Sequence, residues 1–187
     1  MRVADWRAQL RRDLRKAVEA AGLLEPLARR APSSPYTLHL AIFEEPYLEW
    51  ILNGRKTIES RFSVHRVAPY GIVDPGDWLV LKRTSGPVLG LCRVTEVEFF
   101  ELDSQTRERL RNKYSGPLCA NDPAFWDARE RSCFATMMHV GEVYRLPPVS
   151  CAKRDRRGWV VLPDLTAGGQ LVFPGSWARR TDWQREV

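Results

Sequence analysis

The chain has 187 residues, 44% hydrophobic and 28% charged, with a formal net charge of +6. That length allows one core of ordinary size with an appended element, not two full domains. No apolar run reaches membrane-spanning length and no small-residue cleavage site follows the early arginines, so neither a helical membrane protein nor a secreted one is expected.

The charge is uneven. Residues 1–30 hold eight Lys/Arg against four acids, and residues 151–187 hold seven against four, while the middle is nearly balanced. Basic ends attract polyanions, most simply nucleic acid. The cysteines at 92, 119, 133 and 151 show no Cys-x-x-Cys and no histidine at ligand spacing. They read as reduced core cysteines of a cytoplasmic protein, with neither metal nor cofactor expected.

Val3, Trp6, Leu10, Leu14, Val18 and Ala21 recur at helical spacing, so residues 3 to about 29 are expected to form an amphipathic helix or a helix pair broken near Gly22. Arg7, Arg11, Arg12, Arg15 and Lys16 lie on its other face. Such a helix either packs its stripe on the domain or forms an arm for nucleic acid or a membrane surface, and a further reading makes it the contact for a protein partner or a second copy. Pro32-Ser33-Ser34-Pro35 ends it, giving a helical arm and linker over 1–35, a domain over 36–165 and a basic, aromatic tail over 166–187.

From Tyr36 the period becomes two, with Leu38, Leu40 and Ile42 on one face of a strand. Pro46 suits the first position of a short helix bearing Tyr47, Leu48, Ile51 and Leu52, and Gly54 supplies its left-handed stop. Arg55, Lys56, Glu59 and Arg61 then crowd into seven residues. Thr57, Glu59 and Arg61 alternate onto one face of an extended segment, with Lys56 at its mouth. A loop carrying His65 and Arg66 follows, then a turn at Asp74-Pro75-Gly76-Asp77. Strands are expected at 78–83, 88–100, 134–146 and 158–162, and helices after Asp103 and Asp122. Lys153, Arg154, Arg156 and Arg157 make a basic loop before the last strand. Short strands with inserted helices and no βαβ rhythm predict an α+β fold: a small barrel of five to six strands, antiparallel or mixed.

Gly54-Arg55-Lys56-Thr57-Ile58-Glu59-Ser60-Arg61 resembles the Gly-x-Lys-x-x-Glu-x-Arg signature of the ASCH domain, a branch of the PUA-like β-barrels. The preceding helix, the Pro75-Gly76-Asp77 turn and the long strand to Phe100 occur in that family's order, and the likeness covers about residues 37–162. It implies a barrel with a cleft beside the signature for RNA or modified nucleosides. Some members look like hydrolases, one group removing the acetyl group of N4-acetylcytidine and another cutting single-stranded RNA. The amidohydrolase group has threonine where Glu59 stands, so only its signature lysine carries over, onto Lys56.

The expected function is therefore RNA or modified-nucleotide binding, with Arg55, Lys56, Glu59, Arg61, His65, Lys153, Arg156 and Arg157 as binding residues. The enzymatic alternative makes Lys56 the reactive group and Glu59 its proton partner. A third reading is an internal Lys–Glu–Arg pairing that only closes the barrel. Tyr70, Trp126 and Trp159 are candidate base-stacking rings. His139, in an apolar strand, is expected to be structural.

Overall fold

Residues 6–24, 36–154 and 156–162 are described by a computed structural model. The second part of the N-terminal helix pair, the Pro32–Pro35 linker and the tail over 166–187 lie outside these residues. In chain order the elements are α1 (Trp6–Ala20), β1 (Leu38–Phe43), α2 (Tyr47–Leu52), β2 (Ile58–Ser63), β3 (Trp78–Arg83), β4 (Val88–Glu101), α3 (Ser104–Tyr114), α4 (Pro123–Asp127), β5 (Phe134–Val149) and β6 (Trp159–Leu162).

The six strands form one mixed sheet in the order β2-β5-β4-β3-β1-β6. Only β1 and β3 run parallel; the other pairs are antiparallel. Although β2 lies at one edge and β1 next to the other, Arg61 of β2 donates from Nη2 to the Ile42 carbonyl of β1 at 2.9 Å. The sheet must therefore curl until its ends nearly meet, as a PUA-like half-barrel. Shifts of register along β4 and β5, at Val88/Gly90, Leu91/Arg93 and Val94/Glu96, supply the bend.

Three apolar clusters fill the layers. Leu10, Leu14, Ala17 and Val18 of α1 pack with Leu40, Val80, Leu91 and Val160, so the stripe of the amphipathic helix is used inside the molecule. Ala41, Phe43, Leu48, Ile51, Leu79, Leu81, Cys92 and Met138 form the second cluster, under α2. Ile58, Leu110, Tyr114, Leu118, Phe125, Trp126 and Met137 form the third, under α3 and α4. β1 thus departs from the expected one-faced strand: Leu40 enters one cluster while Ala41 and Phe43 enter another, because helices cover both faces of the curled sheet.

The punctuation residues act largely as expected. Asp103 and Asp122 cap α3 and α4, accepting from the backbone N–H of Thr106 and Ala124. Pro46 is the exception, standing one place earlier than expected, as the N-cap of α2. Of the four cysteines only Cys92 is fully buried, and Cys133 is exposed, which corrects the expectation of core cysteines throughout. Among the described residues, no helix is long and apolar enough to cross a membrane.

Candidate functional site

The signature is set by a helix, a stop and an edge strand. After α2, Gly54 takes φ +78°, and the chain turns back so that the Lys56 N–H donates to the Trp50 carbonyl at 2.8 Å. Thr57 and Ile58 both donate to the Pro117 carbonyl, which seats the start of β2 against the segment after α3. Alternation then separates the side chains. Ile58 and Phe62 join the third apolar cluster, while Glu59, opposite Met138, points into the curl of the sheet.

Lys56 is 3% exposed and Glu59 5% exposed. The Lys56 ammonium donates to the Ile58 carbonyl, lies 3.3 Å from Glu59 Oε2, and sits 5.9 Å from the centre of the Tyr47 ring. Arg61 Nε stands 2.8 Å from Glu59 Oε1, an ion pair without the alignment of a hydrogen bond. One carboxylate therefore serves two cations. Burial lowers the pKa of Lys56, and Arg61 pushes the same way, while the Glu59 carboxylate opposes both. Burial also pushes the Cys92 thiol up, with the Glu59 charge adding to it, as expected of a carboxylate aimed inward.

Arg61 does more than face Glu59. Beyond Ile42 it reaches the Gly158 carbonyl from Nη1 at 3.4 Å, and its guanidinium lies 5.0 Å from the Phe43 ring centre and 5.3 Å from that of Trp159. It bridges the two ends of the sheet. This is the barrel-closing arrangement weighed above as an alternative, and it belongs to Arg61 rather than to the whole triad. Gly158 ends the basic loop, so that loop meets β2 at Arg61.

The remaining expected residues are dispersed. Arg55 is exposed and stacks 4.7 Å from the Trp50 ring centre, beside Tyr47 but outside the triad. His65 is exposed in the loop after β2. Arg156 and Arg157 are exposed and Lys153 is half-buried. Two base-stacking candidates are corrected: Trp126 is buried and donates to the Ala120 carbonyl, and Trp159 is buried beneath Arg61, so neither ring face is open. Tyr70 packs edge-on against Phe134.

Two residues escaped the sequence reading. Arg129 follows α4, and its guanidinium lies 3.6 Å from the Phe125 ring centre and 5.6 Å from that of Phe62. Burial lowers its pKa, and the charges of Tyr47, Glu59 and Glu44 pull it back, which places it in the field of the signature. The one available signal was its four-residue spacing from Phe125, which stacks a guanidinium on a ring. His39, fully buried in β1, is the other. Trp159 Nε1 donates to its Nδ1 at 3.2 Å, so its Nε2 carries the proton to Asp77 Oδ2 at 2.9 Å. That network ties β6 to β1 and the turn before β3, and so holds the ring on which Arg61 rests.

With this geometry in hand, residues 42–129 match the model of the ASCH domain. The chain carries an ASCH domain. The match begins in β1, contains the whole signature and ends at Arg129. The ASCH protein of Zymomonas mobilis shares the fold with a TM-score of 0.56 at 14% identity, over 67% of this chain and 87% of that one. A tyrosine-to-phenylalanine variant of that protein gives 0.53 at 13% identity over 67% and 90%, and a serine-to-alanine variant 0.50 at 15% over 60% and 72%. These likenesses show the PUA-like fold of the ASCH domain. No curated protein matches the sequence.

Proposed function

We propose that the ASCH domain binds RNA or a modified nucleotide beside its Gly-x-Lys-x-x-Glu-x-Arg signature. The observation that carries this is the Lys56–Glu59–Arg61 triad at the start of the edge strand β2, its lysine and glutamate buried, with half-buried Arg129 in the same field. A buried lysine whose pKa burial lowers, set against a buried carboxylate, marks a functional-site candidate. The roles divide by what each side chain already holds. Arg61 is committed to the Ile42 and Gly158 carbonyls, so it orients Glu59. Glu59 accepts from an exocyclic amine of the base, and Lys56 donates to a base carbonyl. The basic loop at 153–157 and the arginines of α1 add non-specific attraction to the strand.

Binding of a short fluorescent single-stranded RNA, titrated at low and physiological salt, tests this. Affinity is expected to fall by about tenfold or more, since each phosphate contact releases counterions. Affinity unchanged by salt, and unchanged by Glu59→Gln, overturns the reading.

The lowered pKa of Lys56 favours a second reading, a hydrolase acting on an N4-acetylcytidine-type amide or on single-stranded RNA. Here neutral Lys56 is the reactive group and Glu59 takes its proton. Incubation with each substrate tests it, and product formation that survives Lys56→Ala removes Lys56 from the chemistry.

A further inference from the structure

Arg129 differs from the ion-paired arginines of the domain. Arg61, Arg66, Arg83, Arg93 and Arg145 each meet a glutamate within ion-pair distance. Arg129 meets none among the described residues, and its single hydrogen bond runs from Nη1 to the Phe125 carbonyl. Its Nε and Nη2 donors have no acceptor there.

The group is nevertheless held in place. Its guanidinium is stacked on Phe125 and flanked by Phe62. Its backbone is pinned by Arg107 of α3, which donates from Nη1 to the Arg129 carbonyl at 3.0 Å and from Nη2 to the Ser132 carbonyl at 3.2 Å. One arginine is thus spent on fixing the turn that presents another. Phe125, on which Arg129 stacks, lies 6.1 Å from Tyr47 between ring centres, and the Tyr47 ring centre is 5.9 Å from the Lys56 ammonium. The fork therefore stands near the signature, while Glu59 and Glu44 act on it from beyond ion-pair range.

We infer that Arg129 is the phosphate-holding residue of the site, so that the domain takes a nucleotide rather than a free nucleoside. The inference rests on the nucleotide-binding reading above. A planar fork with unfilled donors matches two oxygens of a phosphate, and stacking removes much of the entropy that an arginine loses on binding. Partial removal from water strengthens the contact further. Glu59, an acceptor only, suits the base end of the same ligand.

Calorimetric titration of the full chain with the four ribonucleosides and N4-acetylcytidine, and with their 5′- and 3′-monophosphates, tests it. For the base that binds, one monophosphate is expected to bind about tenfold tighter or more than its nucleoside, as a charge-assisted pair allows. Arg129→Ala should bring that ratio below about threefold, whatever it does to nucleoside affinity, and Arg129→Lys should fall between because it keeps charge without the fork. If Arg129→Ala does not fold, Arg129→Lys and Arg129→Gln carry the same comparison. A nucleoside that binds as tightly as both of its monophosphates overturns the inference and leaves nucleoside recognition standing. A phosphate preference that survives loss of the guanidinium also overturns it. Absence of any binding, by nucleosides, nucleotides and RNA alike, overturns the proposed function and this inference together.

Discussion

Glu59→Gln tests the buried triad directly, because it removes the charge at almost constant shape and so leaves packing untouched. In the native protein the carboxylate lies 3.3 Å from the Lys56 ammonium and 2.8 Å from Arg61 Nε. Without its charge, two cations remain together in the curl of the sheet. Removing one partner of a buried pair costs about 3–5 kcal/mol. Two features put the expected loss near the lower end. Arg61 keeps 22% of its side chain in water, and Lys56, already lowered by burial, can give up its proton. A loss of about 3 kcal/mol corresponds to a urea midpoint lower by about 1–2 M, with the slope unchanged. Lys56→Met in the same background should recover part of it, and the two changes together should cost less than their sum by about 1 kcal/mol or more. An unfolding midpoint for Glu59→Gln within error of the parent would show that the triad is hydrated rather than buried, and would remove the physical basis for a perturbed Lys56.

Three further outcomes follow from neighbouring parts of the fold. Because burial depresses the pKa of Lys56, the unfolded chain binds more protons between that depressed value and the ordinary 10.5, so this residue makes stability rise with pH in that window; Lys56→Met should flatten the difference in a pH series of urea unfolding. Gly90→Ala places a methyl group 2.6 Å from both Leu52 Cδ2 and the Tyr144 carbonyl oxygen, which cannot move away without disturbing the β4–β5 pairing, and should cost roughly 1–3 kcal/mol or more in thermal unfolding. Asp77→Asn turns an amide group toward donors that now reach a carboxylate, namely the Thr37 N–H at 2.6 Å, the Asp74 N–H at 2.8 Å and His39 Nε2 at 2.9 Å. It should lose about 1–3 kcal/mol and shift the indole N–H resonance of Trp159, which a change confined to the turn would leave in place.

Local rules settle most of the elements from the amino-acid order. Asp103 and Asp122 must cap something, Gly54 and Gly76 must turn the chain, and alternation from Ile58 onward must part the Glu59 face from the Ile58 face. These are short-range statements about dihedral angles and periodicity, so they survive without knowledge of neighbours. The four signature positions, in their order with the helix before and the turn after, were likewise enough to indicate the ASCH domain. What each charge does was beyond reach, because it depends on residues far along the chain. Arg61 looked like a ligand contact until the curled sheet brought the carbonyls of residues 42 and 158 to it. Trp159 and Trp126 looked like stacking surfaces until burial closed their faces. Arg129 carried no role in the sequence reading, and only the packing of α4 on β2, with Arg107 holding the turn, stacked it on Phe125 and Phe62 within the field of the Glu59 charge. Pairing and burial of a charge are decided by the sheet's closure and not by the charge's place in the sequence, which is why the signature could be read from the chain and its division of labour could not.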